Sequence, residues 1–480
     1  MAAATRPPGV PEELSESSDG ETIPNLSTRN GNLNPSGSTI TPNEGLEETE
    51  RSRGHDHEPD PHYPDEVALR RAILDRCRSL EYVSFRDILD QEGAWFDFEV
   101  QSRVTLARMR NAMRSARMQN YPELPRSLRN LTRVLNDDQF RVITQTEDGT
   151  DNLYGGSVTA TDGSHHIMFV SQRMLNYLKI SRILHGDGTR KVIPLGANAN
   201  FLAQQVHLKL VYVILTTWDY HVIPLAWVLM ESQTNAAYDA VCQLLRRLVG
   251  DDIIVERIIT DFEPAQRNGW INNFDTTVQG CLWHLVRAYV DEAKELNLGW
   301  WMRNVDEYRR LIRLAGTLPL LPRRLMRRGL ILLTQEAMRE GPAFYGRVRP
   351  FLRYLNQRWV SDPIRAQWMC VYRSVHRTNN AAESHNKTMK LLMGTHPNIY
   401  SFINVLIRLE RCAFRDCQAL ENGRRVSNGR KACAVTNDNR LRRLQNDLNN
   451  PRGHQDEAIW NYMRRASAVM RNVFNEAVYH

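Results

Sequence analysis

Apolar residues between positions 206 and 250 follow first a strand pattern and then a helix pattern. The stretches 206–215 and 222–230 are rich in β-branched and aliphatic residues and are separated by a short polar turn, which predicts a β-hairpin. From Thr234 to Gly250, apolar residues recur on one helical face. Because these two residue types commonly stand at the start and just beyond the end of a helix, we expect a helix between them.

Two further apolar stretches, 253–260 and 277–281, predict short strands. Each is followed by a predicted helix, the first entered at Pro264 and the second starting near His284. The predicted order is hairpin, helix, strand, helix, strand, helix. This order is typical of a mixed α/β sheet, and such sheets usually place their sites at strand ends.

Two regions, one before the predicted hairpin and one after the last predicted strand, have apolar residues at helical spacing and no strand pattern. Residues 67–150 carry two apolar stripes with helical spacing, which predicts a helical N-terminal region. Helical spacing also dominates residues 291–372, which predicts an all-helical insertion.

Residues 1–66 differ in composition from the rest of the chain. They hold 14 Asp and Glu against four Arg, a net charge of −10, whereas the other 414 residues hold 58 Lys and Arg against 41 Asp and Glu, a net charge of +17. The acidic segment is poor in aromatic residues and rich in Ser, Pro, Gly, Asn and Glu, which predicts a disordered acidic tail. The basic body predicts a polyanionic partner.

The sequence has no run of about 18 apolar residues, so no membrane span is expected. Seven widely spread cysteines fit a reducing compartment better than a disulfide scaffold. We therefore expect a soluble, intracellular protein.

Three acidic residues, Asp187, Asp261 and Glu383, stand where a predicted strand gives way to a turn or helix. Each has a structural interpretation: Asp187 as a turn residue, Asp261 as a helix N-cap, and Glu383 as the capping-box partner of Asn380. Taken together, the three residues have a second interpretation, as a metal site. Carboxylates from distant parts of a chain that converge on one point can hold two Mg²⁺ ions about 3.5–4 Å apart for phosphoryl transfer. The order of the intervening strands and helices favours this joint interpretation.

Four short blocks follow one another along the chain, and three of them contain these acids. They are Asp187-Gly188-Thr189, Thr260-Asp261-Phe262-Glu263-Pro264-Ala265, Cys281-Leu282-Trp283-His284 and Arg377-Thr378-Asn379-Asn380-Ala381-Ala382-Glu383-Ser384. They resemble the signature blocks of Mutator-like element (MULE) transposases. The resemblance extends over residues 174–409, which is roughly half of the chain.

The resemblance implies an RNase H-like fold with an all-helical insertion between the second Asp and the Glu. It also implies that Asp187, Asp261 and Glu383 are the catalytic, metal-binding triad, with Mg²⁺ or Mn²⁺ as cofactor. One position departs from the family pattern, in which a His often stands three residues after the Glu. Here that position is Asn386, and His385 precedes it.

The resemblance and the residue patterns together give a domain organisation. The expected parts are a disordered acidic tail (1–66), a helical N-terminal region with a hypothesised role in binding DNA ends (67–150), the first part of an RNase H-like α/β core (151–290), an all-helical insertion (291–372), the second part of the core with the Glu helix (373–420), and a basic linker with a C-terminal helix (421–480).

Candidate DNA-binding residues are basic. The insertion has a dense group of arginines with few acidic residues among them. This group is interpreted either as a solvated helix face or as a surface that binds phosphates. Lys387 and Lys390 follow Glu383 at helical spacing and are candidates for holding the flanking phosphate. The arginine candidates are Arg309, Arg310, Arg313, Arg323, Arg324, Arg327 and Arg328.

Cys281 and His284 form a Cys-x-x-His pair, which supplies at most two of the four ligands of a structural zinc site. Candidates for the other ligands have no diagnostic spacing: Cys370, His376, His385, Cys412 and Cys417. The alternative is that Cys281 is a buried small residue and that His284 is a helix cap or lies near the metals.

The residue patterns and the resemblance together predict a DDE-type transposase that cuts and joins DNA, in the nucleus if the source is eukaryotic, and as a homo-oligomer in its active complex. Two alternatives remain open. One is a domesticated transposase that regulates by binding DNA without catalysis, and the other is an RNase H-like nuclease without strand transfer.

Overall fold

A seven-stranded mixed sheet forms the centre of the computed structural model, which describes residues 58–80, 83–194, 208–218, 220–426, 432–450 and 453–479. The strands are β1 (Tyr154–Thr159), β2 (His165–Phe169), β3 (Ile183–Thr189), β4 (Leu210–Trp218), β5 (His221–Met230), β6 (Arg257–Thr260) and β7 (Thr277–Gly280). Their order is β1-β2-β5-β4-β3-β6-β7. β4 is antiparallel to β3 and β5, whereas β3, β6 and β7 are parallel.

Helices precede, follow and separate these strands. The described helices are α1 (Tyr63–Arg78), α2 (Phe85–Gly93), α3 (Phe98–Arg103), α4 (Leu106–Asn120), α5 (Leu128–Leu135), α6 (Gln172–Ile180), α7 (Asn235–Val249), α8 (Pro264–Asn273), α9 (Leu282–Glu295), α10 (Gly299–Asn304), α11 (Asp306–Ala315), α12 (Arg323–Arg339), α13 (Pro342–Tyr354), α14 (Pro363–Trp368), α15 (Asn380–Met393), α16 (Ile399–Glu421), α17 (Ala432–Asn449), α18 (Gln455–Ala466) and α19 (Arg471–Tyr479).

Both faces of the sheet are buried, and alternate residues of β4 show how. Leu210, Tyr212 and Ile214 pack with residues of α6, α7 and α8. Val211 and Val213 face the opposite way and pack with residues of α15 and α16. Since successive side chains of a strand point to opposite faces, the continuous apolar run of β4 is the pattern of a strand covered on both sides.

The helical insertion has a core of its own, to which the C-terminal helices contribute. Residues of α9 to α14 share one apolar cluster with residues of α17, α18 and α19. Tyr462 of α18 also donates a hydrogen bond from its hydroxyl to the carbonyl of Leu320, at 2.7 Å. The N-terminal helices α1 to α4 form a separate apolar cluster.

Several sequence predictions can be compared with these elements. The hairpin is present, and Thr234 caps α7 through a hydrogen bond from the backbone N–H of Ala237, with Gly250 in the left-handed region after the last turn. The strand predicted over 253–260 is shorter, because only Arg257–Thr260 pairs with neighbouring strands. No helix of the described residues is long and apolar enough to cross a membrane.

Two boundary predictions differ from the structure at the ends of the chain. Residues 1–57 of the predicted tail lie outside the described residues, and α1 already begins at Tyr63, inside the segment assigned to the tail. Residues 421–480 were expected to be a linker and one helix, but they contain α17, α18 and α19. The polar face of α17 concealed its helical character, although Leu441, Leu444 and Leu448 are buried.

Candidate active site

Asp187 lies within the sheet and not in a turn. It belongs to β3, pairs with Val213 of β4, and is only 8% exposed. Residues paired across antiparallel strands lie on the same face, so Asp187 faces the side on which Val213 packs with α15 and α16. The interpretation of Asp187 as a turn residue is therefore wrong.

Asp261 directly follows β6, which is the neighbour of β3. The two strands are parallel, and His185 pairs with Ile259, so the same register continued by two residues brings Asp261 beside Asp187. Asp261 is not the N-cap of α8, because Glu263 occupies that position. The strand ending, and not a capping role, fixes the place of this carboxylate.

Glu383 lies in the first turn of α15, on the side of Asp187. The N-cap of this helix is Asn379, so Glu383 is one residue beyond the capping-box position. The Asn379 side chain bonds to β3 instead: its Nδ2 donates to the carbonyl of Gly186 at 3.1 Å, and its Oδ1 lies 3.2 Å from Nδ1 of His185. The start of α15 is thereby fixed to the strand that carries Asp187.

The three carboxylates are close enough to affect one another's ionisation. Burial raises the pKa of Asp187, and the charges of Asp261 and Glu383 raise it further, to about 7. The charge of His284 and the backbone N–H of Gly188 act in the opposite direction. The structure thus brings Asp187, Asp261 and Glu383 together in one cluster, in which repulsion disfavours full ionisation at neutral pH.

His284 is the cationic partner of Asp261. Burial lowers the pKa of its imidazole, but the contacts with Asp261 and Cys281 outweigh burial and raise the pKa to about 11. The ring is therefore protonated at neutral pH. Its Nδ1 lies 2.8 Å from Oδ1 of Asp261, yet neither atom has a partner with hydrogen-bond geometry, so this contact is an ion pair without a directed hydrogen bond.

Asn386 also belongs to the cluster, and the sequence interpretation missed this role. Its Nδ2 donates to Oδ2 of Asp187 at 2.7 Å, and its Oδ1 is buried without a hydrogen-bond partner. His385 points elsewhere and accepts a hydrogen bond from Nε1 of Trp227 at 3.0 Å. The signal was the spacing of three residues from Glu383, which places Asn386 on the same helical face.

The donor atoms of this cluster suit a hard cation, although they are not arranged as a ligand set. No three His, Cys, Asp or Glu side chains in the described ranges have the arrangement of a metal site. However, Oε1 of Glu383 is buried without a hydrogen bond, and Oδ1 of Asp261 has the ion pair with His284 in place of a hydrogen bond. A buried carboxylate oxygen without a hydrogen bond is unfavourable, and Mg²⁺ and Mn²⁺ prefer oxygen ligands.

Cys281 connects two segments of the site. It is fully buried at the N-cap of α9, and its Sγ accepts a hydrogen bond from the backbone N–H of Asn379 at 3.2 Å. Because Asn379 starts α15, this contact joins the end of β7 to the helix of Glu383. Zinc binding by Cys281 and His284 stays a prediction, and the contacts seen here give each residue another role.

The candidate arginines of the insertion are partly engaged within the protein. The ion pairs join Arg309 to Asp306, Arg310 to Glu336 and Glu340, and Arg328 to Asp456. Arg323 donates to Oε1 of Gln367 at 3.2 Å, and Arg313 is half-buried. Arg324 and Arg327 are exposed, and neither forms an ion pair within the part of the chain that the structure describes.

Lys387 and Lys390 are exposed on α15, the helix of Glu383. Their position beside the carboxylate cluster follows from the helical spacing that the sequence showed. DNA binding by these lysines and by the arginines stays a prediction.

The comparison with protein families gives one match. The family model of the MULE transposase domain matches residues 196–288. This match supports an assignment to the MULE transposase family. The matched segment extends from the residues before β4 into α9 and includes Asp261, Cys281 and His284, whereas Asp187 and Glu383 lie on either side of it. No curated protein and no solved structure matches the chain.

Proposed function

We propose that this protein is a DDE-type transposase that cuts and joins DNA by metal-dependent phosphoryl transfer at Asp187, Asp261 and Glu383. The observation that supports the proposal most directly is that Asp261 and Glu383 both raise the pKa of Asp187. Three carboxylates from distant parts of the chain thus share one partly buried cluster. Such a cluster repels itself, and divalent cations relieve that repulsion in phosphoryl-transfer sites.

The order of the strands supports an RNase H-like fold for the core. When β3 to β7 are counted as strands one to five, their order in the sheet is 3-2-1-4-5, and the second strand is antiparallel to its neighbours. Strands one and four are adjacent, and they position Asp187 and Asp261. The helices α10 to α14 separate Asp261 from Glu383 along the chain, as the family pattern implies.

In this proposal, Asp187, Asp261 and Glu383 would hold Mg²⁺ or Mn²⁺. The bound ions would stabilise negative charge on the reacting phosphate and activate the attacking water or hydroxyl. His284 would hold the Asp261 carboxylate in place through their ion pair. Asn386 would orient the Asp187 carboxylate through its hydrogen bond to Oδ2.

The proposed substrate is duplex DNA, bound by its phosphates. The exposed Lys387 and Lys390 would contact the phosphates nearest the cluster, and the exposed Arg324 and Arg327 those further away. A transposase acts on both ends of an element, so we propose a homo-oligomer as the active form and, in a eukaryote, the nucleus as its location.

The test measures Mg²⁺-dependent nicking and strand joining with DNA that carries the ends of the element. Asp187→Asn, Asp261→Asn and Glu383→Gln should each abolish both reactions while DNA binding and folding persist, since these substitutions remove charge and keep similar size. Cleavage at the wild-type level by any of the three variants would refute the proposed mechanism. DNA binding by a wild-type protein without any cleavage would instead indicate a non-catalytic DNA-binding protein.

Glu263→Gln is the matched control. Glu263 lies two residues from Asp261 and is half-buried, and burial also raises its pKa. Its Oε2 accepts a hydrogen bond from the hydroxyl of Tyr238 at 3.0 Å, which a glutamine oxygen can also accept. This variant should therefore keep its activity, and a loss equal to that of Asp261→Asn would show that the wrong acid has been assigned.

A further inference from the structure

A polar cleft of about 310 Å³ lies between α17 and the segment that leads into α15. One wall comes from this segment and the other from α17. The polar and charged residues that line it are Arg373, Ser374 and Arg377 on one side and Asp438, Arg442, Gln445 and Asn446 on the other. Both walls lie outside the segment that the family model matches.

The cleft has an excess of positive charge. Arg377 forms an ion pair with Asp438, which is 6% exposed, so these two charges offset each other. Within the described part of the chain, the hydrogen bond of the Arg442 side chain goes to the neutral Oδ1 of Asn439, at 3.2 Å. Arg373 has no acidic partner in the described ranges, and its guanidinium lies 5.6 Å from the ring of the adjacent Tyr372. Two guanidinium groups thus remain available to an anion.

The backbone of Arg373 supplies an independent observation. Its φ is 59°, in the left-handed region that glycine adopts without strain and that longer side chains adopt only rarely. The side chain has no ion pair or hydrogen bond in the described structure that would offset this strain. Arg373 shares this conformation with Tyr220, Asn297 and His396 among the described residues. Strained residues cluster at functional sites, and Arg373 is the one of these four that lines the cleft.

The cleft is also close to the carboxylate cluster along the chain. The carbonyl of Arg377 accepts a hydrogen bond from the backbone N–H of Leu282 at 2.8 Å, and two residues later the N–H of Asn379 bonds to Cys281. A ligand in the cleft would therefore touch the segment that positions α15 and Glu383.

We propose that this cleft binds a phosphodiester group of the DNA backbone. Arginine binds phosphate oxygens through paired N–H donors, and Arg373 and Arg442 supply such donors from opposite walls. The amides of Gln445 and Asn446 add neutral polar groups. The inference rests on the proposed function, because it takes DNA as the substrate.

The test uses Arg373→Gly in the full-length protein, since glycine removes the guanidinium and also relieves the backbone strain. Thermal stability should stay the same or rise. The affinity for duplex DNA should fall equally for two unrelated sequences, and the slope of log Kd against log salt concentration should decrease by about 0.9, the value for one lost phosphate contact. Arg442→Gln should give a similar decrease in slope.

Arg353→Gln is the matched control. Arg353 is exposed and lines another cleft that also contains three arginines and one acid, Arg358, Arg365 and Glu292 being the others. We expect its DNA affinity and salt slope to equal those of the wild type. An equal loss in this control, or wild-type affinity and slope in Arg373→Gly, would overturn the inference.

Two further outcomes separate the inference from the proposed function. If the wild-type protein binds no DNA at low salt, both are overturned, whereas unchanged binding by Arg373→Gly in a DNA-binding protein overturns the inference alone. Inorganic phosphate is the second probe. If it stabilises the wild type and not Arg373→Gly, while both bind DNA equally, the cleft is a site for free phosphate and the assignment to DNA is wrong.

Discussion

Replacement of Asp187 by Asn should change how the stability of the metal-free protein depends on pH. The carboxyl is 8% exposed, and burial with the charges of Asp261 and Glu383 raises its pKa from 3.8 to about 7. Between these two values the folded state binds more protons at Asp187 than the unfolded state does. Stability is therefore lost as the pH rises through this window.

The magnitude follows from the two pKa values. Each pKa unit corresponds to about 1.36 kcal/mol, so the full penalty above pH 7 is about 4 kcal/mol. Between pH 5 and pH 8 the penalty increases by about 2.5 kcal/mol in the wild type. Asparagine at position 187 does not titrate, so the variant should lack this increase.

Urea unfolding in EDTA at several pH values between 5 and 8 measures the effect. The stability of Asp187→Asn relative to the wild type should rise with pH by about 2.5 kcal/mol across this range. Because only the change with pH is used, a constant loss of the hydrogen bond from Asn386 does not affect the result. Asp252→Asn, at an exposed carboxylate, is the control and should follow the wild type. A constant difference between Asp187→Asn and wild type would refute the electrostatic coupling of the cluster.

Four other perturbations test separate features. Asn379→Ala removes two side-chain contacts of a fully buried residue. It should destabilise the protein by about 1–3 kcal/mol in urea unfolding and reduce cleavage at unchanged DNA affinity. Normal cleavage would show that the helix of Glu383 does not need these contacts. Arg173→Met leaves the carboxylate of Glu410, which is 0% exposed, without its bidentate partner. The free energy of unfolding should fall by about 3–5 kcal/mol, and the double variant with Glu410→Gln should recover much of this loss. Deletion of residues 1–57, which ends before α1, should tighten nonspecific DNA binding at low salt and less so at high salt if the acidic segment shields the basic surface; equal affinities at low salt would exclude the shield. If Cys281 binds zinc, elemental analysis should find about one equivalent that Cys281→Ala loses, and a metal-free wild type of normal stability would exclude zinc.

The strands and first helices of the core were predictable because local patterns determine them. The alternation and β-branching of 206–230 marked the hairpin, and Thr234 with Gly250 marked the ends of α7. Asp261 could be placed because it follows a short apolar strand. Residues 253–256 were wrongly included in that strand, since hydrophobicity alone does not show where backbone pairing with neighbouring strands begins.

The contacts that complete the site were not predictable, because they join residues far apart in the sequence. Asn379 looked like an ordinary residue before a helix, and its bonds to Gly186 and His185 depend on how α15 packs on the sheet. The pairing of Arg328 with Asp456 likewise spans 128 positions. The sequence around the arginines therefore showed a larger excess of positive charge than the folded protein has there. Long-range ion pairs of this kind leave no local pattern.

The packing of α17, α18 and α19 against the insertion determines when the insertion can finish folding during synthesis. Asp438 of α17 pairs with Arg377, six residues before Glu383, and α18 closes the core of the insertion. A nascent chain that has left the ribosome only as far as α16 already carries all three acids, yet it lacks the helices that complete the surroundings of the Glu383 segment. Premature stop codons after residue 421 should therefore yield chains that contain the whole triad but expose the apolar core of the insertion, and we expect quality-control proteases to remove them.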